Sequence, residues 1–238
     1  SILLLWCALA WWMAARLAYS GALKDSLLCG LFLGLACSSQ YTALPLLILI
    51  PSAQVHAFFT GQGNRKNILK TIAAGFAAAG AAFALTSPFI LIDYRAFWAT
   101  MTDLGLYVDS LRTVPIPDAV KAVLFNMANF AGVWPIFIIS LLGIFYLWHD
   151  KKALACTITV PILAIFIFLS SRPDGAVVRY MFPVFPALAL VAQYGLGSMR
   201  KAVPHRAVIA AVGILLMLPG LINSLKSDRE LNLTDTRT

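Results

Sequence analysis

Charge is scarce in this sequence, and acidic charge scarcest: 18 Lys and Arg stand against 10 Asp and Glu in 238 residues. At 12% charged and 61% hydrophobic, with a mean hydropathy of +0.84, the chain falls outside the range of soluble domains. A chain of this length has no single core able to bury so much apolar surface. Cysteine is sparse too. Cys7, Cys29, Cys37 and Cys156 all lie in apolar stretches, with no C-x-x-C spacing and no histidine nearby. Neither a disulfide framework nor a metal site is indicated, and they read as small core residues. Residues 1–15 are apolar, yet they carry no Met start and no basic leader, which argues against a signal peptide. They read as the end of a helix whose first part is missing, and the sequence as a fragment.

What is present is a succession of long uncharged runs. A bilayer core takes roughly 20 apolar residues per helix. Such runs occupy residues 27–50, 71–92, 130–148, 153–170, 180–199 and 207–225, and with 1–15 they give seven candidate spans. The expected fold is therefore all-α, a polytopic transmembrane bundle over residues 1–225 with an outward tail at 226–238. Three short turns set its orientation: Arg65, Lys66 and Lys70; Lys151 and Lys152; Arg200, Lys201 and Arg206. Together they hold eight basic residues and one acid, Asp150. By the positive-inside rule these turns face the cytoplasm. The net charge of +8 is then a matter of topology, and nucleic acid is not an expected partner. On this count the turn near Arg16, Lys24 and Asp25 falls outside, where its positive excess fits poorly.

The run 27–50 holds Gly30-x-x-x-Gly34 followed by a polar patch, Ser38-Ser39-Gln40-Tyr41-Thr42, and 73–84 reads "AAGFAAAGAAFA". Small residues four apart let membrane helices approach closely. Polar groups within a span must find partners or line a cavity. After "TSPFILIDYRAF", Phe97, Met101, Leu104, Val108 and Leu111 recur at helical spacing, opposite Arg95, Thr102, Asp103, Asp109 and Ser110. That pattern predicts an amphipathic helix on the outer surface, whether or not it does more than link two spans. "TVPIPD" ends it.

The densest motif is "RPDGAVVRYMFPVFP" at 172–186. Pro183 and Pro186 suit a first helical turn, where a missing N–H costs least, and so predict a helix start near Tyr180. A helix start carries unpaired N–H groups and partial positive charge. Arg179 stands directly before it and Arg172 a short loop upstream. On local grounds this is either an anion site at the depth of lipid phosphates or an arginine snorkelling to ordinary headgroups.

Taken in order, "GLFLGLACSSQYTALPLLIL", "SPFILIDYRAF" and "VVRYMFPVFPALALVAQYGL" make the chain resemble the C-type glycosyltransferase superfamily (GT-C). More narrowly, it is similar to bacterial relatives of the protein O-mannosyltransferases and of the lipid A aminoarabinose transferases. The resemblance implies a transferase that takes a sugar from a polyprenyl-phosphate donor at the outer face of a bacterial cytoplasmic (inner) membrane. The acceptor is a lipid, glycan or protein, membrane lipids surround the site, and no cofactor is implied in this part of the chain. It assigns the donor phosphate to Arg179, Tyr180 and Arg172, and the cavity to Gln40, Tyr41, Asp93, Tyr94 and Arg95, under the amphipathic helix as a roof. The general base of the family lies in a first outer loop that this sequence does not include, so the catalytic residue is unassigned. Many relatives place Lys where Gln40 stands. The competing class, a transporter or flippase of lipid-linked sugars, would put charges deep in spans, whereas here charges sit at span ends and no inverted repeat shows in span lengths or breaks.

The orientation makes a direct prediction. A cysteine at Ala176 is expected to react with an impermeant thiol reagent applied from outside, and one at Gln62 is not; the reverse pattern overturns the orientation.

Overall fold

The computed structural model describes residues 2–62, 67–110, 118, 121, 134–170 and 183–202, with positions 91, 104–110, 134–136, 169, 170 and 199–202 described by backbone alone. Arg172, Arg179 and Tyr180 lie outside the described residues, as do Arg65, Lys66, Arg206, the run 207–225 and the tail 226–238. The described chain is helical throughout: α1 Ile2–Ser20, α2 Leu23–Ser39, a 3-10 segment Tyr41–Ile48 running into α3 Leu49–Phe59, α4 Ile68–Thr86, α5 Phe89–Ile92, α6 Tyr94–Ser110, α7 Trp134–Asp150, α8 Lys152–Ser170 and α9 Phe185–Ala202. Among the described residues, Ile2–Ser20, Tyr41–Phe59 and Ile68–Thr86 are long and apolar enough to cross a membrane, while 137–150 and 152–168 form shorter apolar helices.

The run 27–50, expected as one span, is two helices. α2 stops at Ser39, and Gln40 adopts an extended conformation (φ −164°, ψ 126°). Two features of the sequence account for the break. Ser39 turns its hydroxyl back onto the Leu35 carbonyl at 2.9 Å, the local bonding by which serine competes with the helical ladder. Pro45 would clash with the carbonyl of Tyr41 in a continuous helix, whereas the break places it near the start of a new one.

After the break the chain reverses. The Ser26 hydroxyl donates to the Thr71 carbonyl at 2.7 Å, a Cβ on Gly30 would overlap the Gly75 carbonyl oxygen, and one on Gly34 that of Ala79. Helices α2 and α4 are therefore parallel and in backbone contact, which only glycine permits. The segment Tyr41–Phe59 must run the opposite way between them. It does: the Tyr41 ring lies 6.2 Å from Phe83, Ile50 sits against Gly75, and His56 lies edge-on to Tyr19 at 6.0 Å.

This corrects the placement of the first turn. Tyr19 meets His56 and Ser26 meets Thr71, so Arg16, Lys24 and Lys70 gather at one end of the bundle. The turn that fitted poorly outside belongs with the basic turns. Its conformation is held by Gly21 at φ 59° and by buried Asp25, which accepts from the Ser20 hydroxyl at 2.5 Å and pairs with Arg16 at 3.4 Å.

Helices α7, α8 and α9 form a second group. The Ser140 hydroxyl donates to the Leu188 carbonyl at 2.8 Å, and a Cβ on Gly143 would overlap the Val191 carbonyl, so α7 and α9 are parallel. The start of α8 lies beside the end of α3, where Ala153 and Cys156 face Val55 and Phe59 across a shared groove. Lys151 and Lys152 thus join the basic end, as does Tyr194, whose hydroxyl donates to Asp150 at 3.2 Å. The two groups share a core in which Leu17, Leu33, Leu46 and Ile165 are fully buried and Leu188 nearly so.

The α2–α4 seam yields a test. Gly30→Leu is expected to cost about 1–3 kcal/mol through overpacking, lowering the thermal midpoint and the monodisperse yield of the purified protein. Gly80→Leu on the open face of α4, where an added Cβ meets nothing within 4 Å, is expected to leave both unchanged.

Candidate functional site

Of the candidate residues, Gln40, Tyr41, Asp93, Tyr94 and Arg95 are described, and the fold brings their segments together at the end opposite the basic turns. The Ser38 and Ser87 hydroxyls share a hydrogen bond at 2.9 Å, tying the end of α2 to the end of α4. Gln40, half-buried, holds the break through its backbone: its N–H donates to Ala36 and its carbonyl accepts from Ala43, both at 3.0 Å. The Tyr41 ring then touches Phe83 of α4 and, at 6.4 Å, Phe97 of α6. Beside it Thr42 buries a hydroxyl that has no protein partner.

Asp93, Tyr94 and Arg95 lie one turn before Phe97, at the corner where α5 gives way to α6. Asp93 is exposed and its carboxylate accepts from the Ala96 N–H at 3.1 Å. That is the geometry of an N-cap, which satisfies a free donor and complements the helix dipole. Arg95 donates to the Tyr94 hydroxyl at 3.3 Å and stacks over the same ring at 5.9 Å. Both side chains are exposed. Within α6, Phe97 and Met101 are half-buried while Thr102 and Asp103 are exposed, so the amphipathic pattern is obeyed where side chains are described. The corner offers an amide, two phenols, hydroxyls and a guanidinium, all able to donate to an anion. Its carboxylate is engaged in capping.

The start of α9 approaches from the other group. The buried Trp11 indole donates to the Pro183 carbonyl at 3.1 Å. Trp11 stands at the midpoint of α1, so the chain passes into α9 from the middle of the bundle rather than from its end. The helix begins at Phe185, later than the expected Tyr180. Pro186, the second helical residue, suits that start because proline is best tolerated in the first turn.

Sequence reasoning missed Trp11, Ser87 and Trp98, the last of these 66% exposed on α6. The signal for Trp11 was an indole N–H in an apolar run, which needs an acceptor when buried. Among the described residues no group of three or more His, Cys, Asp or Glu side chains is placed to hold a metal ion. Compared with family models, with curated proteins and with solved structures, the chain matches none of them.

The assignment of Asp93 as a cap is testable. Asp93→Ala is expected to destabilise α6 locally by about 0.5–2 kcal/mol, seen as faster amide hydrogen exchange across 94–110. Asp93→Asn is expected to restore protection, since asparagine caps as well as aspartate.

Proposed function

We propose that the chain is the membrane portion of a glycosyltransferase that moves a sugar from a polyprenyl-phosphate donor to an acceptor at the outer face of a bacterial cytoplasmic membrane. One observation carries this reading. The segments 38–42 and 86–97, which resemble the GT-C pattern and are separated in sequence by a whole helix pair, meet at a single end of the bundle. That end is opposite the one where Arg16, Lys24, Lys70, Lys151 and Lys152 collect. With the basic end cytoplasmic, the polar corner is outside. Among the described residues the crossings are then α1, α2, Tyr41–Phe59, α4, α7, α8 and α9, the run 27–50 contributing to two of them where one was expected.

In such an enzyme a carboxylate takes the proton of the acceptor hydroxyl, which attacks the anomeric carbon as the bond to the lipid phosphate breaks. Charge growing on the leaving phosphate requires donors fixed in advance. Arg179 takes that duty, with Tyr180 and Arg172 assisting. Gln40 and Tyr41 line the cavity, Gln40 donating hydrogen bonds without bringing charge. Asp93 shapes its rim through α6.

A second reading, a transporter or flippase of lipid-linked sugars, is favoured by one feature that span lengths did not reveal. Helices α2, α3, α4 and helices α7, α8, α9 are each a parallel outer pair about a reversed middle helix, and the two groups run in opposite directions. Inverted arrangements of this kind are common in transporters. Against it, Asp25 is the sole buried charged side chain among the described residues, and it sits at the basic end.

The transferase reading predicts that Arg179→Ala, in the complete protein, lowers transfer per inserted molecule by roughly 100- to 1000-fold. Arg179→Lys recovers part of this, because a point charge does not reproduce the guanidinium fork. Near wild-type turnover for Arg179→Ala contradicts the phosphate assignment. Movement of labelled lipid-linked sugar across proteoliposomes, without any transfer, favours the transporter.

A further inference from the structure

An apolar groove of about 520 Å³ separates α3 from α8 at the basic end, lined by Pro51, Val55, His56 and Phe59 on one side and by Cys156 and Val160 on the other. It is remote from the polar corner, and the proposed reaction leaves it unused. One feature gives it a chemistry. Lys151 and Lys152, both exposed, immediately precede Ala153, which lines the groove, so two basic residues adjoin its edge at the start of α8. The neighbouring carboxylate, Asp150, already accepts from Tyr194 and pairs with His149.

We infer that this groove holds one anionic phospholipid of the cytoplasmic leaflet, its phosphate at Lys151 and Lys152 and one acyl chain between α3 and α8. The charge at the mouth selects an anionic headgroup over a zwitterionic one. The apolar depth excludes a free phosphate as the complete ligand. A bound lipid at this position braces the middle helices of the two groups against each other.

The inference rests on the cytoplasmic placement of the basic end, and cysteine labelling from the two sides tests that placement separately. The direct experiment is native mass spectrometry of the purified chain supplied with phosphatidylglycerol or with phosphatidylcholine of the same acyl chains. One phosphatidylglycerol is expected to be retained per chain, in preference to phosphatidylcholine. Lys151→Gln and Lys152→Gln are each expected to weaken retention of phosphatidylglycerol roughly fivefold, about the worth of one basic residue at a membrane surface, while leaving phosphatidylcholine unchanged. Val160→Trp, which fills the groove from a position 42% exposed, is expected to lower retention of both lipids without lowering yield. Equal retention of the two lipids by the unmodified chain overturns the inference. So does indifference to Val160→Trp, or retention there of a polyprenyl phosphate in place of the phospholipid.

Discussion

The backbone contact between α2 and α4 is the constraint from which the remaining arrangement follows. Gly30, Gly34 and Gly75 let the two helices touch through their carbonyls, and Ser26 bonds across to Thr71. Two parallel neighbours need a return path between them, and the chain supplies it with the segment from Tyr41 to Phe59. The reversal at Gln40 is thus a topological requirement of the seam as well as a local consequence of Ser39 and Pro45. It carries Ser38 to Ser87 and Tyr41 to Phe97 at one end, and Tyr19 to His56 at the other. One packing contact sorts polar groups to one end and cations to the opposite end.

The same sorting bears on chemistry. A site for a lipid-linked phosphate needs donors near a headgroup surface and a protein wall to exclude water. The corner around Gln40 has donors, while its carboxylate, Asp93, closes the first turn of α6. The proposed division of labour therefore reserves these residues for shaping and holding. At the other end, the groove under Lys151 and Lys152 would tie the bundle to the cytoplasmic leaflet, leaving the two ends with different lipids and different duties.

Much of the architecture was legible in the sequence. The uncharged run at 153–170 marks α8 closely, because length and hydropathy suffice where a helix is unbroken, whereas 71–92 overruns the end of α4 into α5. Pro88 ended α4 as its chemistry requires, and the 4, 3 spacing from Phe97 located α6. The run 27–50 misled because mean hydropathy cannot separate a polar patch within a helix from a break between two helices. Both are uncharged, and both contain the same Ser38–Thr42. The misplaced turn at Arg16 and Lys24 was the symptom, since its charge contradicted its assigned side. Of the candidate site, the positions at 40–41 and 93–95 were legible from polar residues at helix ends. Trp11 was not, because its partner is a backbone carbonyl 172 residues away.

The reversal at Gln40 is tested most directly by paired cysteines at Tyr19 and His56, in a background where the exposed Cys156 is serine. The two rings lie 6.0 Å apart in the structure. If 27–50 were a single span, those positions would lie on opposite faces of the membrane. The account predicts that a bifunctional, reducible thiol cross-linker joins the pair within intact membranes, visible as a mobility shift reversed by reductant. Absence of that cross-link, with each cysteine labelled only from a different side of the membrane, would contradict it.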